Sequence, residues 1–175
     1  MVEVRGDARV KRVLTLFLVF AWVAVIYWFS SQAMQETTQQ TYEVLVRLGL
    51  ATKAELIQST DPSVVFLKYL ARKGAHLLLF MVLGGFVTMA VFTLTRRKGR
   101  RLVLPAWLIA SLLGVADEVH QHFVPGRTMM LSDMALDAGG ALLGVLVAWM
   151  AISVMLAVGR FVRKDRKKLK EFRRG

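Results

Sequence analysis

An all-α integral membrane protein, built as a bundle of four transmembrane helices, is the fold class this sequence predicts, and three observations predict it. The chain is 55% hydrophobic, with a mean hydropathy of +0.49; a soluble domain is roughly 45–50% apolar. Four apolar runs, at residues 13–29, 75–95, 102–124 and 135–158, approach the ~20 residues that cross a hydrocarbon core of about 30 Å. The basic residues collect before the first run, between the second and third, and after the fourth, the pattern that the positive-inside rule imposes on a chain with both termini in the cytoplasm.

The first run follows Arg5, Arg9, Lys11 and Arg12, and Ser31-x-Ala33 resembles a signal-peptidase site. Its apolar stretch is longer than the 7–15 residues of a signal core, and Tyr27 and Trp28 stand where an interfacial aromatic belt belongs. A retained anchor is the expectation. Arg96, Arg97, Lys98, Arg100 and Arg101 join the second and third runs, and the tail is densely basic from Arg160 to Arg174. The expected organisation is therefore a basic cytoplasmic N-terminus (1–12), a four-helix membrane domain (13–159) and a basic cytoplasmic tail (160–175). The net charge of +12 is then a topology signal with attraction to anionic membrane lipid. It does not imply nucleic acid, because no RNA- or DNA-reading motif accompanies it.

The loop after the first run faces outward in this layout. Tyr42, Leu45, Val46 and Leu48 give it a short amphipathic helix ending at Gly49, read as lying in the membrane interface. Asp61-Pro62 is a helix start, cap followed by proline at the first helical position, and the helix is expected to run on into the second span. No internal repeat supports a repeat-built transporter, and the first span carries no charge.

The third run ends in DEVHQHFVPGRTMMLSD, Asp117 to Asp133. From Leu102, a rise of 1.5 Å per residue carries Asp117 roughly 22 Å across the membrane, still inside the outer leaflet. Asp117, His120, Gln121 and Val124 share one helical face, and Glu118 and His122 an adjacent one. Pro125-Gly126 makes a turn, after which Ser132 or Asp133 is expected to cap the fourth helix. Asp133 and Asp137 share a face with Gly140 and Gly144, a small-residue stripe for close helix approach. Lys73 and His76 share a face with Phe80 and Gly84 at the same outer end of the second span.

Several of these residues have ordinary structural uses: Lys73 as an interfacial anchor, Asp133 as a cap, Arg127 as a neutralising partner of Asp133. Asp117, Glu118 and Asp137 are different, because a carboxylate within a span costs at least about 2.5–3.5 kcal/mol and needs a partner or water. The candidate acid–base residues are His76, Asp117, Glu118 and His120, and the candidate ligand contacts are Lys73, Gln121, Arg127, Asp133 and Asp137. With no cysteine in the chain, thiolate chemistry and disulfides are excluded. No metal or other cofactor is expected, a zinc site of His76, His120 and a carboxylate being the lesser option.

These same residues carry a family resemblance. Arg72-Lys73-x-x-His76, Asp117-Glu118-x-His120-Gln121-x-Phe123-x-Pro125-Gly126-Arg127 and Ser132-Asp133-x-x-x-Asp137-x-x-Gly140-x-x-x-Gly144 resemble the VanZ-like family of bacterial membrane proteins, as does Ser30-Ser31-Gln32 after the first span. Asp137 departs from the pattern, standing where the family commonly has asparagine. The resemblance implies a multi-pass protein of the bacterial cytoplasmic membrane linked to glycopeptide resistance, particularly to teicoplanin. Two functions are compatible with it and with the outer polar layer. One is binding of an envelope ligand, either a lipid-linked cell-wall precursor or the glycopeptide, with Arg127 paired bidentately to phosphate or carboxylate. The other is a membrane-embedded enzyme acting on an envelope lipid or peptidoglycan precursor. There His76 or His120 would be general base, Asp117 or Glu118 its orienter, and Arg127 the stabiliser of developing charge.

Overall fold

The computed structural model describes residues 2–95 and 97–172, with side chains for residues 9–95 and 97–166; Arg96, the side chain of Arg5 and the side chains of the tail beyond residue 166 lie outside the described set. Six α-helices follow in order: α1 (Val2–Ser30), α2 (Met34–Arg47), α3 (Lys53–Gln58), α4 (Pro62–Leu94), α5 (Val103–Gln121) and α6 (Leu131–Phe172), with a 3-10 turn at Gly99–Leu102 before α5. Four of them contain stretches long and apolar enough to cross a membrane: Arg9–Ser30, Pro62–Leu94, Gly99–Gln121 and Leu131–Arg166.

Local chemistry explains the boundaries. The chain leaves α2 through Gly49, whose φ of 70° is the left-handed conformation that closes a helix. Pro62 sits in the first turn of α4 behind Asp61, whose side chain accepts from the Ser63 N–H, and α4 then runs unbroken into the second span as expected. Helix α3 was not anticipated, although Thr52 and Glu55 form the reciprocal capping box that announces one. The fourth helix also differs from expectation. It begins at Leu131, with the Asp133 and Met134 N–H groups already bonded to the Met130 carbonyl, so neither Ser132 nor Asp133 is its cap. Asp133 lies inside the first turn, where its carboxylate is free to accept from Lys73.

Helices α4 and α6 run parallel and meet backbone to backbone. A Cβ at Gly140 would touch the Leu77 carbonyl, and Cβ atoms at Gly144 and Gly84 would overlap the carbonyls of Met81 and Ala141. The stripe that lets membrane helices approach closely is therefore the α4–α6 seam. Helix α5 closes on α6 through Trp107, whose indole N–H donates to the Ala138 carbonyl at 3.0 Å, and lies against Phe80 of α4 at Gly114. Helix α1 packs antiparallel to α4. The Trp22 N–H donates to the Leu79 carbonyl at 2.9 Å, and Thr15 and Thr93 hydroxyls pair near the other end. Phe80, Leu83, Val87, Ala106, Ala110, Ala141 and Val145 make the core.

Burial is inverted relative to a soluble protein. Leu112, Phe123, Val147, Met150 and Val154 are exposed while Glu118 and Asp137 are fully buried. Apolar side chains on the outside and carboxylates within are what a hydrocarbon solvent selects.

Candidate functional site

At one end of the bundle, where α1 and α5 finish and α6 begins, the chain assembles three adjoining polar groups. Each depends on a different helix junction.

The first is an ion pair between Lys73 of α4 and Asp133 of α6. The Ser132 hydroxyl also donates to Asp133, so both partners, predicted as ligand contacts, face each other across the parallel seam.

The second is a relay from α5 to the α1–α2 corner. The Gln121 amide donates to Asp117 at 2.7 Å, and its carbonyl oxygen accepts from Arg127 Nη1 at 2.9 Å. The guanidinium then donates through Nε to the Gln32 carbonyl at 3.0 Å and through Nη2 to the Phe29 carbonyl at 3.0 Å and the Thr37 hydroxyl at 3.3 Å. Four of the five donors of Arg127 are thus committed to the chain itself. Arg127 holds the end of α1 and the start of α2 against α5, and it forms no salt bridge with Asp133. Burial, and next the nearby Arg72 charge, push its guanidinium below the ordinary value, while Asp117 and Glu118 act in the opposite sense. It remains a cation, as arginine does in proteins.

The third group is His76 of α4, Glu118 of α5 and Asp137 of α6. Each offers a ligand-capable atom, and all of these atoms lie within 4.8 Å of one another. His76 Nδ1 faces Asp137 Oδ1 at 3.4 Å without the alignment of a hydrogen bond. Glu118 Oε2 accepts from the Met130 N–H at 3.2 Å, but its Oε1 has no partner, nor has either oxygen of Asp137. Gly114 makes the convergence feasible, since a Cβ there would stand 3.2 Å from both the Asp137 Cβ and the Phe80 ring. Burying such groups is costly, several kcal/mol for each ion left charged.

His120 stands apart from this group. Its Nε2 lies 3.1 Å from the Ser31 hydroxyl, and its ring stacks on Tyr27 with centroids 4.4 Å apart. A zinc set containing both His76 and His120 is therefore not what the fold assembles. His76 meets the two carboxylates instead.

Beside the polar groups lies a cavity of about 630 Å³ between α1, α2 and α4. Trp22, Ile26, Phe29, Leu79 and Val82 give it apolar walls, His76, Asp117 and Arg127 line its polar end, and Lys68 and Arg72 add two more cations. Exposed Tyr69, Ala75 and Leu78 mark its mouth. Among the described residues, Arg72 donates only to the thioether of Met34, a weak acceptor. Among the described residues, no carboxylate is in salt-bridge contact with Lys68, Arg72 or Arg127.

Sequence reasoning missed Arg72, Lys68 and Thr37 as parts of the site. In the sequence Arg72 reads, with Lys73, as an interfacial anchor and Lys68 carries no signal, and only the fold back of α2 over α4 turns their end of the helix into a cavity wall. Ser30, which receives the Gln121 amide at 3.4 Å, had a signal in Ser30-Ser31-Gln32.

A family model described as VanZ/LLP1 matches residues 15–154, which takes in all of the residues above. No curated protein and no solved structure matches the chain.

Proposed function

The chain belongs to the VanZ/LLP1 family, and from that premise we propose that it is a multi-pass protein of the bacterial cytoplasmic membrane that binds a phosphate-bearing, lipid-linked envelope precursor. The ligand enters the cavity between α1, α2 and α4, and its binding contributes to teicoplanin-type glycopeptide resistance. The observation that carries this reading is an apolar cavity of about 630 Å³ flanked by three cations without a carboxylate in salt-bridge contact. Apolar walls suit a hydrocarbon chain, and Arg72 with Lys68 suits a phosphate. A cavity of this size does not enclose a whole glycopeptide, so the lipid-linked ligand is preferred to the antibiotic itself. Lys98, Arg100 and Arg101 at the opposite end of the bundle support a cytoplasmic location for that end, with the polar layer outward.

A second reading, an enzyme that modifies the same ligand, draws on one observation. His76 and Asp117 both line the cavity, so a general base and a carboxylate would adjoin the bound phosphate.

The test begins with retention of a polyprenyl phosphate by the protein purified in detergent, followed by native mass spectrometry. The parent should retain it, and Arg72→Gln should lower retention about tenfold, as loss of a charge-assisted contact does. In a susceptible bacterial host, Arg72→Gln and Asp117→Asn should lose protection against teicoplanin at matched membrane abundance. Chemically altered lipid recovered from the parent would favour the enzyme. A membrane-impermeant maleimide should label Thr128→Cys and spare Lys98→Cys in intact cells. Undiminished lipid retention and full protection by both site variants would sink the binding reading.

A further inference from the structure

We propose that His76, Glu118 and Asp137 form a binding site for one divalent first-row transition-metal ion, zinc being the best suited. The proposal does not depend on what occupies the adjoining cavity.

Four atoms point to it. His76 Nδ1, Glu118 Oε1 and both Asp137 carboxylate oxygens are buried without a hydrogen-bond partner, and Glu118 and Asp137 are each 0% exposed. Buried polar atoms are satisfied in the great majority of cases, so four unsatisfied ones on three converging residues call for a missing partner. A cation would satisfy all four at once, because carboxylate oxygens and the lone pair of a neutral imidazole nitrogen can all be shared with it.

Geometry narrows the class. Two ligands held at about 2.0–2.1 Å by a tetrahedral ion stand about 3.4 Å apart; His76 Nδ1 and Asp137 Oδ1 are separated by 3.4 Å. All three donor atoms lie within 4.8 Å of one another, a spread that side-chain rotation closes. Three protein ligands with an open fourth position are the usual set for a reactive zinc ion. Calcium takes six to eight oxygens and magnesium keeps an octahedral shell, and neither prefers an imidazole.

The surroundings are arranged for the same purpose. Glu118 is oriented by the Met130 N–H on Oε2, which leaves Oε1 for the pocket. The close α4–α6 seam fixes His76 relative to Asp137, and Gly114 admits Asp137. Charge balance agrees at the three residues themselves. Glu118 and Asp137 supply two carboxylates, and with His76 as a neutral ligand one dication cancels their charge. The competing arrangement is protonation of Glu118 and Asp137, which fills the same deficit with two protons and no metal.

The full chain, purified in detergent, loaded with zinc and passed through gel filtration, should carry one zinc per chain by elemental mass spectrometry. Glu118→Gln and Asp137→Asn should each weaken zinc binding by more than about 100-fold, beyond the range seen for outer-shell partners. His122→Gln, at an exposed histidine, should keep the full complement. Cobalt in place of zinc should give the visible bands of a tetrahedral site in the parent and lose them in Asp137→Asn. A parent without stoichiometric zinc, or Glu118→Gln and Asp137→Asn variants as loaded as the parent, would overturn the site and favour protonated carboxylates. Should the variants fail to fold, the parent decides alone: chelation must lower its melting temperature, and a parent whose melting ignores chelator has no such buried ion. Polyprenyl phosphate retention, measured on the same samples, reports the cavity separately, so the failure of one reading does not disguise the failure of the other.

Discussion

Helix α4 has two faces of opposite character. Towards α6 it presents Gly84 and the carbonyls of Leu77 and Met81, and the two backbones touch wherever glycine permits. Towards α1 and α2 it presents Arg72, Ala75, Leu79 and Val82, and there the contact is made by outlying points such as Trp22 on the Leu79 carbonyl, leaving a cavity of about 630 Å³. His76 stands on the border, reaching Asp137 on one side and lining the cavity on the other. The contrast teaches that small residues on both partners make a rigid frame for the buried carboxylates, whereas bulky residues on one side hold the helices apart and leave room for a ligand. Without hydrophobic drive between helices in lipid, packing of this kind is the main source of cohesion.

The largest expected effect comes from breaking the tight face. Gly144→Leu places a side chain where the Met81 carbonyl stands, and a backbone cannot rotate away as a side chain can. Overpacking of an ordinary core costs about 1–3 kcal/mol, and here the upper end or more is expected, read as a large fall in the detergent melting temperature. Gly84→Ala, against the Ala141 carbonyl, should act in the same direction with a smaller drop. Parental melting of both variants would mean that α4 and α6 do not meet at these glycines.

Filling the loose face should do something different. Ala75 is exposed and lines the cavity, so Ala75→Leu adds volume where there is space. Its stability should stay within about 0.5 kcal/mol of the parent, as for surface changes. Polyprenyl phosphate retention should nevertheless fall several-fold, because the added side chain competes with the ligand for the same volume. A variant as destabilised as Gly144→Leu would show that the two faces are equally packed and the cavity is closed in the membrane.

The contrast between the faces also explains what the sequence disclosed. The spans, the continuous α4 and the seam were legible, because hydropathy and a four-residue spacing of glycines are one-dimensional signals. The convergence of His76, Asp117, Glu118 and Asp137 on one end was legible from span length alone. Their partition was not. His120 shares a face with Asp117 and Gln121 in the helix, yet the approach of α1 captures it on Ser31 and Tyr27. Arg127 looked like a free fork for an anion, and the α1–α2 corner takes three of its donors and Gln121 of α5 a fourth. Both outcomes are set by a helix more than 80 residues away in the chain, about which helical periodicity is silent.

The smallest effect concerns the connection that bounds the loose face. Thr52 and Glu55 cap α3, Asp61 caps α4, and Leu56 between them is fully buried, with its carbonyl accepting from Lys68 at 3.3 Å. Hydrogen bonds from the Thr52 backbone and then its side chain hold Glu55 below its ordinary value. The Ser63 side chain and backbone do the same for Asp61. A folded-state value below the unfolded one favours folding above the unfolded value, and the benefit is lost as pH falls through the lowered folded value. Nothing should therefore change between neutrality and the ordinary carboxylate range. Below it, both caps should weaken together. Because these carboxylates are fully exposed, solvent screens the effect, and it should remain local. Hydrogen-exchange protection of residues 53–58 should fall by about fivefold, the scale of a lost cap, while protection along the α4–α6 seam stays unchanged over the same acid range. Thr52→Ala should lower the protection at neutral pH and remove most of the acid dependence of α3. Equal acid sensitivity in the seam and in this connection would mean that the two faces of α4 open as one unit, and the division between frame and cavity would have to be given up.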